Sequence, residues 1–255
     1  MSTSTTTGRL PGDRWLARPR PVPDPALRVI AIPHVGGGGA AFNVWRDQLP
    51  PGVELCAVRL PGRENRLSEP PVEDLETLLE LLEPALRPVL DRPFVLVGHS
   101  SGSVIAFELA RRLRARGAPQ PAMLVVSAAD APRRRKVADL HLLPQEALLR
   151  RVADFGGMAP AVLDDADLMA VFERIIRADY RITELARYVP EPPLDVPVTV
   201  IGGRHDPFVD RGAMADWAQE TTRDFTLHLI DAGHFLLPDA GPLLADLTRR
   251  LLERS

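Results

Sequence analysis

Short apolar runs alternate with amphipathic segments along most of the chain. Six runs rich in Val, Ile and Leu predict buried strands at 28–32, 53–58, 94–97, 123–127, 196–201 and 225–230. The intervening segments predict helices at about 40–47, 74–90, 104–116, 214–220 and 241–254. Strands that alternate with helices indicate an α/β protein with a mostly parallel central sheet and helices on both faces.

The alternation stops between residues 132 and 189. This stretch predicts only helices, at about 144–154, 160–164 and 167–186. An all-helical insertion between two strands of an α/β core favours a lid over a site, although further outer-layer helices are the alternative. Residues 1–12 are polar and predicted to be disordered. We therefore expect one domain over 13–255, with the lid at about 132–189.

A Gly-His-Ser-Ser-Gly segment, Gly98–Gly102, joins a predicted strand to a predicted helix. In that context the pattern predicts a nucleophile elbow, in which a strained turn lifts the Ser100 hydroxyl above the edge of the sheet. The amide of Ser101, at the start of the helix, can then face a developing oxyanion. A Gly/Ser-rich turn without chemistry is the alternative.

A second glycine-rich loop, at 33–39, follows the first predicted strand. Its glycine spacing is not that of a dinucleotide fingerprint, and no Lys-Ser/Thr pair follows as in a phosphate-binding loop. The elbow downstream favours the other half of an oxyanion hole, with the amide of Val35 or Gly36 as donor. A flexible turn is the alternative.

A serine nucleophile needs a base, and the base needs an acid that holds its tautomer. Asp206 and His234 follow Ser100 in the chain order of α/β-hydrolases, and each comes directly after a predicted strand. Asp130, after the strand that follows the elbow helix, is the main alternative acid, and Asp210 is a more distant one. His234 fits the base best, and the Gly233 before it is expected to give its ring room.

Composition and charge narrow the possible functions. Apolar residues make up 45% and charged residues 25%, and the net charge of −3 gives no basic field for nucleic acid. The single cysteine, Cys56, lies in a predicted strand, which excludes a disulfide framework and indicates an inert core thiol. No metal-binding spacing and no signal peptide or bilayer-length apolar run is present. We therefore expect a cytoplasmic protein without a metal. Nothing in the sequence demands more than a monomer.

The loop at 59–66 carries Arg63, Glu64 and Arg66, and its charge predicts a surface turn. Together with three other segments it resembles the type II, external editing thioesterases of polyketide and nonribosomal peptide synthesis. The segments are Pro33-His-Val-Gly-Gly37, Arg59-Leu-Pro-Gly-Arg-Glu-Asn-Arg66, Gly98-His-Ser-Ser-Gly102 and Asp231-Ala-Gly-His-Phe235. The resemblance extends from about Trp15 to the C-terminal helix, and the four-glycine run at 36–39 departs from the family's usual two glycines.

The resemblance implies an α/β-hydrolase fold with Ser100, Asp206 and His234 as catalytic residues. It also implies an acyl substrate held as a thioester on the phosphopantetheine arm of an acyl or peptidyl carrier protein, and no cofactor of the enzyme's own. Two alternatives stay open. One is a product-releasing or general acyl-thioesterase or esterase, and the other is a non-catalytic binding protein that keeps the hydrolase fold.

Overall fold

The computed structural model describes residues 14–154 and 166–254. Within these ranges seven strands form a single sheet in the order β1-β3-β2-β4-β5-β6-β7. The strands are β1 (Leu16–Ala17), β2 (Leu27–Ile32), β3 (Val53–Val58), β4 (Phe94–His99), β5 (Met123–Ser127), β6 (Val198–Gly203) and β7 (Phe225–Ile230). Every neighbouring pair is parallel except β1 with β3. The predicted mostly parallel sheet is confirmed.

Six α-helices lie in the described ranges. They are α1 (Leu75–Leu86), α2 (Ser101–Ala115), α3 (Gln145–Asp154), α4 (Ala166–Glu184), α5 (Arg211–Ala215) and α6 (Leu237–Leu252). Short 3₁₀ helices also occur there, at Gly39–Trp45, Glu64–Arg66, Arg87–Val89, Pro132–Arg134, Leu140–Leu142 and Asp216–Glu220. The expected helix at 40–47 is thus a 3₁₀ helix, and α6 begins earlier than predicted. The predicted helix at 160–164 and residues 1–12 lie outside the described residues.

Alternate residues of β2 enter two different hydrophobic cores. Ile30 and Ile32 pack with α1 and α2, whereas Val29 and Ala31 pack with the Gly39–Trp45 segment and α6. The strand is buried at all six positions. This is the continuous apolar pattern of a parallel sheet covered on both faces, because successive side chains of a strand point to opposite sides.

Helices α3 and α4 share a smaller core of their own. Leu148, Leu149 and Val152 of α3 pack with Ile176 of α4, and the cluster takes in Val35 from the loop after β2. No helix of the described ranges is both long and apolar enough to cross a bilayer.

Candidate active site

The turn between β4 and α2 has the strained geometry expected of an elbow. Ser100 sits at φ 53° and ψ −119°, a conformation that side chains rarely adopt and that costs about 1–3 kcal/mol. A Cβ at Gly98 would lie 2.3 Å from the carbonyl oxygen of Gly102, and one at Gly102 would lie 2.2 Å from the carbonyl oxygen of Ile32. Both glycines are therefore required by the close approach of β4, α2 and β2.

Ser100, His234 and Asp206 form a chain of two hydrogen bonds. Nε2 of His234 lies 2.9 Å from Oγ of Ser100, and Nδ1 lies 2.8 Å from Oδ2 of Asp206. An ionised carboxylate only accepts, so the network assigns the proton to Nδ1 and leaves Nε2 to accept from the serine hydroxyl. The Asp206 side chain is 1% exposed. Three residues that are distant in sequence thus meet in the order nucleophile, base and acid.

The alternative acids have other hydrogen-bond partners. Oδ1 of Asp130 accepts from the amide of Asp210 at 3.0 Å, and Oδ1 of Asp210 accepts from the amide of Ala213 at the start of α5. Burial raises the pKa of Asp130. Neither carboxylate bonds to His234 in the described part of the chain. Asp130 and Asp210 therefore organise the loop before α5.

Three backbone amides were predicted to form an oxyanion hole. Within the described ranges, the amides of Ser101 and Val35 donate to no hydrogen-bond acceptor. The third donor differs from the prediction, because the Gly36 amide already donates to Oδ2 of Asp179 at 2.8 Å. An N–H bonded to a carboxylate is not available to a substrate oxygen. Gly36 is therefore not a candidate oxyanion donor in this conformation.

A cavity of about 470 Å³ opens beside the Ser100 hydroxyl. Val35, Ser101 and His234 are among the residues that line it. Residues of the predicted lid segment also line it, among them Leu140, Val152, Tyr180, Thr183 and Glu184. The cavity thus joins the serine, the two free amides and the helical segment in one space, which suits a small acyl group next to a nucleophile.

The model of the thioesterase domain family matches residues 27–250. The chain belongs to the thioesterase family. Gramicidin S biosynthesis protein GrsT of Aneurinibacillus migulanus is 35% identical over 212 residues, which cover 83% of each chain. Thioesterase PikA5 of Streptomyces venezuelae is 33% identical over 226 residues, 88% of this chain and 80% of that one.

Among solved structures, the type II thioesterase BorB from the borrelidin biosynthetic cluster has a TM-score of 0.84 and 35% identity, covering 93% of this chain and 97% of its own. This likeness, together with the parallel sheet, confirms the α/β-hydrolase fold. The protein is thus an enzyme of the thioesterase class.

Two further histidines of the thioesterase lie in a row beyond the His234 ring. The ring centroid of His99 lies 5.7 Å from that of His234 and 5.3 Å from that of His34. Burial lowers the pKa of His34 to about 4, with the neighbouring His234 as a smaller cause, and burial also holds the pKa of His99 well below its usual value. Both rings are therefore neutral at neutral pH. Of the three, only His234 bonds to Ser100.

The loop at 59–66 of the thioesterase was wrongly predicted as a charged surface turn. Arg63 is 5% exposed and binds Asp179 of α4 through two hydrogen bonds, of 2.6 and 2.7 Å. Arg66 is 4% exposed, binds both oxygens of Glu69 and stacks its guanidinium 3.8 Å from the ring centroid of Trp15. The available signal was Asp179, a lone carboxylate among the apolar positions of α4. A single sequence does not say which cation pairs with it.

No group of three or more His, Cys, Asp or Glu side chains suited to a metal ion occurs in the described part of the thioesterase. Cys56 is buried, and burial raises the pKa of its thiol to about 12, with Glu54 as a further cause. This thiol is a packing group far from the thiolate form that nucleophilic or metal-binding cysteines need.

Proposed function

We propose that this thioesterase hydrolyses acyl groups from the phosphopantetheine arm of acyl or peptidyl carrier proteins. In this role it would clear stalled or misprimed acyl groups from a polyketide or nonribosomal peptide synthase. Ser100, His234 and Asp206 are the proposed catalytic residues. The observation that supports the chemistry is the unbroken chain of hydrogen bonds from Asp206 through His234 to Ser100.

The acylation step follows from the tautomer of His234. Oγ of Ser100 attacks the thioester carbonyl while Nε2 of His234 takes the hydroxyl proton. The carbonyl oxygen becomes an oxyanion that the amides of Ser101 and Val35 stabilise. Collapse of the intermediate breaks the carbon–sulfur bond, and the imidazolium returns its proton to the departing sulfur. The carboxylate of Asp206 stabilises the imidazolium throughout.

Deacylation repeats these steps with water. Nε2 of His234 removes a proton from a water molecule, which attacks the acyl-serine carbonyl, and the same two amides stabilise the second oxyanion. The proton then passes to Oγ of Ser100 as the acid leaves. The chemistry uses only side chains and amides of this chain, and the phosphopantetheine belongs to the substrate.

The carrier-protein part of the proposal is supported by the relatives rather than by the triad. BorB is a type II thioesterase of a biosynthetic cluster and GrsT a biosynthesis protein of gramicidin S. The cavity beside Ser100 is partly open to the surface and partly walled by the segment around α3 and α4. Such a segment can act as the proposed lid that admits the end of a long arm.

One experiment tests both parts. The same short acyl group is presented on a carrier protein, on free pantetheine and as a simple oxygen ester, and kcat/KM is compared. We expect the carrier-bound thioester to be hydrolysed best. Equal or faster turnover of the free thioester or the ester would replace the editing role with that of a general acyl-thioesterase or esterase.

Ser100→Ala is the control for chemistry in all three arms. Removing the hydroxyl should reduce kcat by about 10⁶-fold, as it does in serine hydrolases with an intact triad. Circular dichroism and binding of the carrier protein should be unchanged. Retained hydrolysis in this variant would overturn the assignment of Ser100, and no hydrolysis of any substrate by the wild type would favour a non-catalytic binding protein.

A further inference from the structure

The free amide of Val35 lies in a glycine-rich loop with one internal bond around it, from the Gly37 amide to the carbonyl oxygen of His34 at 2.9 Å. The loop carries consecutive glycines after Val35, and Gly36 adopts φ +72°. Glycine has the largest choice of backbone conformations, so the direction of a neighbouring amide is poorly fixed by local sequence. Catalytic hydrogen-bond donors must nevertheless be fixed before the charge develops. The single turn bond leaves the rest of the loop to be positioned by contacts from elsewhere in the chain.

Arg63 and Asp179 supply those contacts. Oδ2 of Asp179 accepts from the Gly36 amide at 2.8 Å and from Nη1 of Arg63 at 2.7 Å. The same Nη1 donates to the carbonyl oxygen of Gly37 at 2.8 Å. The two charged groups thus bind one N–H and one carbonyl directly after Val35. The side chains are 6% and 5% exposed, so water competes little for these bonds.

The next residue along, Glu64, fixes the far side of the same loop. Its Oε1 accepts from the amide of Ala40 at 2.8 Å, and a Cβ at Gly38 would lie 2.6 Å from that oxygen. The loop therefore fits between two adjacent side chains, Arg63 and Glu64. Asp179 completes the contact set from the opposite side.

Asp179 belongs to α4, and α4 also packs on the loop. A Cβ at Gly36 would lie 3.2 Å from Cγ1 of Ile176, and the side chain of Val35 joins the small core that α3 and α4 share. Both the backbone and the side chain next to the free amide are thus held by this helix. If α4 moves away from the loop, Asp179 moves with it. The Gly36 amide then loses its hydrogen-bond acceptor and Arg63 loses its ion-pair partner.

We propose that Arg63 and Asp179 are positioning residues that orient the Val35 amide toward the oxyanion. Through Asp179, the orientation of this amide depends on the packing of helix α4 against the loop. The inference rests on the proposed function, because it takes the Val35 amide as an oxyanion donor. It assigns to the buried pair a part in transition-state stabilisation besides its part in holding the lid segment. Neither residue touches the substrate in this role.

The test uses Asp179→Asn and Arg63→Lys in the full-length enzyme with an acyl-pantetheine thioester. Displacement of a reacting or stabilising group by about 1 Å can cost 10²-fold in rate. We expect kcat of Asp179→Asn to fall by about 10²-fold, with KM changed little. The weakened interaction is the hydrogen bond from the Val35 amide to the oxyanion, which is made only in the transition state. Inhibition by a boronic acid that forms a tetrahedral adduct on Ser100 should weaken by a similar factor.

Glu54→Gln is the matched control for stability. Glu54 is 1% exposed and pairs with Arg28 at the amino-terminal end of the sheet, away from the site. This variant also breaks a buried ion pair, so it should lose stability and keep kcat. All rates are normalised to the folded fraction from near-ultraviolet circular dichroism. Arg63→Lys, which keeps the charge but cannot bind both oxygens of Asp179, should show a smaller fall in kcat.

Amide hydrogen exchange of the wild type adds a readout that does not depend on a variant folding. The Gly36 amide should exchange slowly because Asp179 binds it, and fast exchange would overturn the proposal. A kcat within about twofold of wild type in folded Asp179→Asn, or a loss confined to KM, would also overturn it. Wild-type hydrolysis that persists in Ser100→Ala would instead overturn the proposed function and, with it, this role.

Discussion

Replacing Asp206 by Asn should invert the tautomer of His234. In the wild type, Oδ1 of Asp206 accepts from the amide of Phe208 at 2.9 Å, while Oδ2 faces Nδ1 of His234 at 2.8 Å. An asparagine has only one oxygen, and an NH₂ group turned toward the Phe208 amide would place two donors against each other. The oxygen therefore stays with Phe208 and the NH₂ group faces His234.

The consequence for rate follows from the donor and acceptor count. An NH₂ group donates, so Nδ1 must accept and the ring proton moves to Nε2. Nε2 can then no longer accept the hydroxyl proton of Ser100. The same change in another serine hydrolase lowers kcat about 10⁴-fold, which corresponds to about 5.4 kcal/mol of transition-state stabilisation. We expect a loss of that order here, with the fold intact.

Asp130→Asn is the control that makes this test specific. Oδ1 of Asp130 accepts from the amide of Asp210, and an amide oxygen can replace it there. We expect kcat/KM on an acyl-pantetheine thioester to change by no more than about twofold. Both variants are compared at neutral pH with thermal unfolding as a check. A larger loss in Asp130→Asn than in Asp206→Asn would refute the reasoning and move the acid to the loop after β5.

Three other outcomes are expected. In urea titrations, Gly203→Ala should lower the free energy of unfolding by about 1–3 kcal/mol, because its Cβ would lie 2.3 Å from the carbonyl oxygen of Gly233. Gly233→Ala is the control: its Cβ meets nothing within 4 Å, so the free energy of unfolding should change by less than about 0.5 kcal/mol. The pKa of His34 is lowered to about 4, so between about pH 6.5 and 4 the unfolded chain binds a proton at this residue that the folded chain does not. The free energy of unfolding therefore falls as the pH falls through that window. In urea titrations, His34→Gln should remove up to about 3 kcal/mol of this fall. Val104→Phe narrows the cavity and should lower kcat/KM for a hexanoyl thioester more than for an acetyl thioester, and an unchanged ratio would place the acyl chain elsewhere.

The catalytic candidates could be predicted because each carries a local signal. Ser100, Asp206 and His234 all follow a strand within a few residues, and parallel strands bring their carboxyl ends to one edge. The chain order then assigns the roles. The reason given for Gly233 was nevertheless wrong, since a side chain there has space. The glycine that the site needs is Gly203.

The buried Arg63–Asp179 pair could not be predicted, because its partners are 116 residues apart and neither position has a local signal for the other. Charged residues in a turn are usually exposed to solvent, so the sequence favoured a surface turn here, and that prediction was wrong. The bounds of two elements, β1 and α6, could not be predicted for a simpler reason. Strand β1 has only two residues, too few for a periodic pattern, and α6 begins at Leu237 because a proline is tolerated in the first turn of a helix.

Strand order explains why the acid follows β6 and the base follows β7. Neighbouring strands lie about 4.8 Å apart, so β7 is about 14 Å from β4, and the loop after β7 must return toward Ser100. The loop after β6 supports that return, because the amide of His205 donates to the carbonyl of Ala232 at 3.0 Å and Gly203 lies against the same segment. The loop after β2 approaches from the other side, and side chains of the loop after its neighbouring strand β3 hold it: Arg63 binds the carbonyl of Gly37, and Glu64 binds the amide of Ala40. Asp179 of α4 adds a carboxylate that binds the amide of Gly36. A backbone bond between strand loops thus supports the His234 side of the site, whereas charged side chains support the oxyanion side.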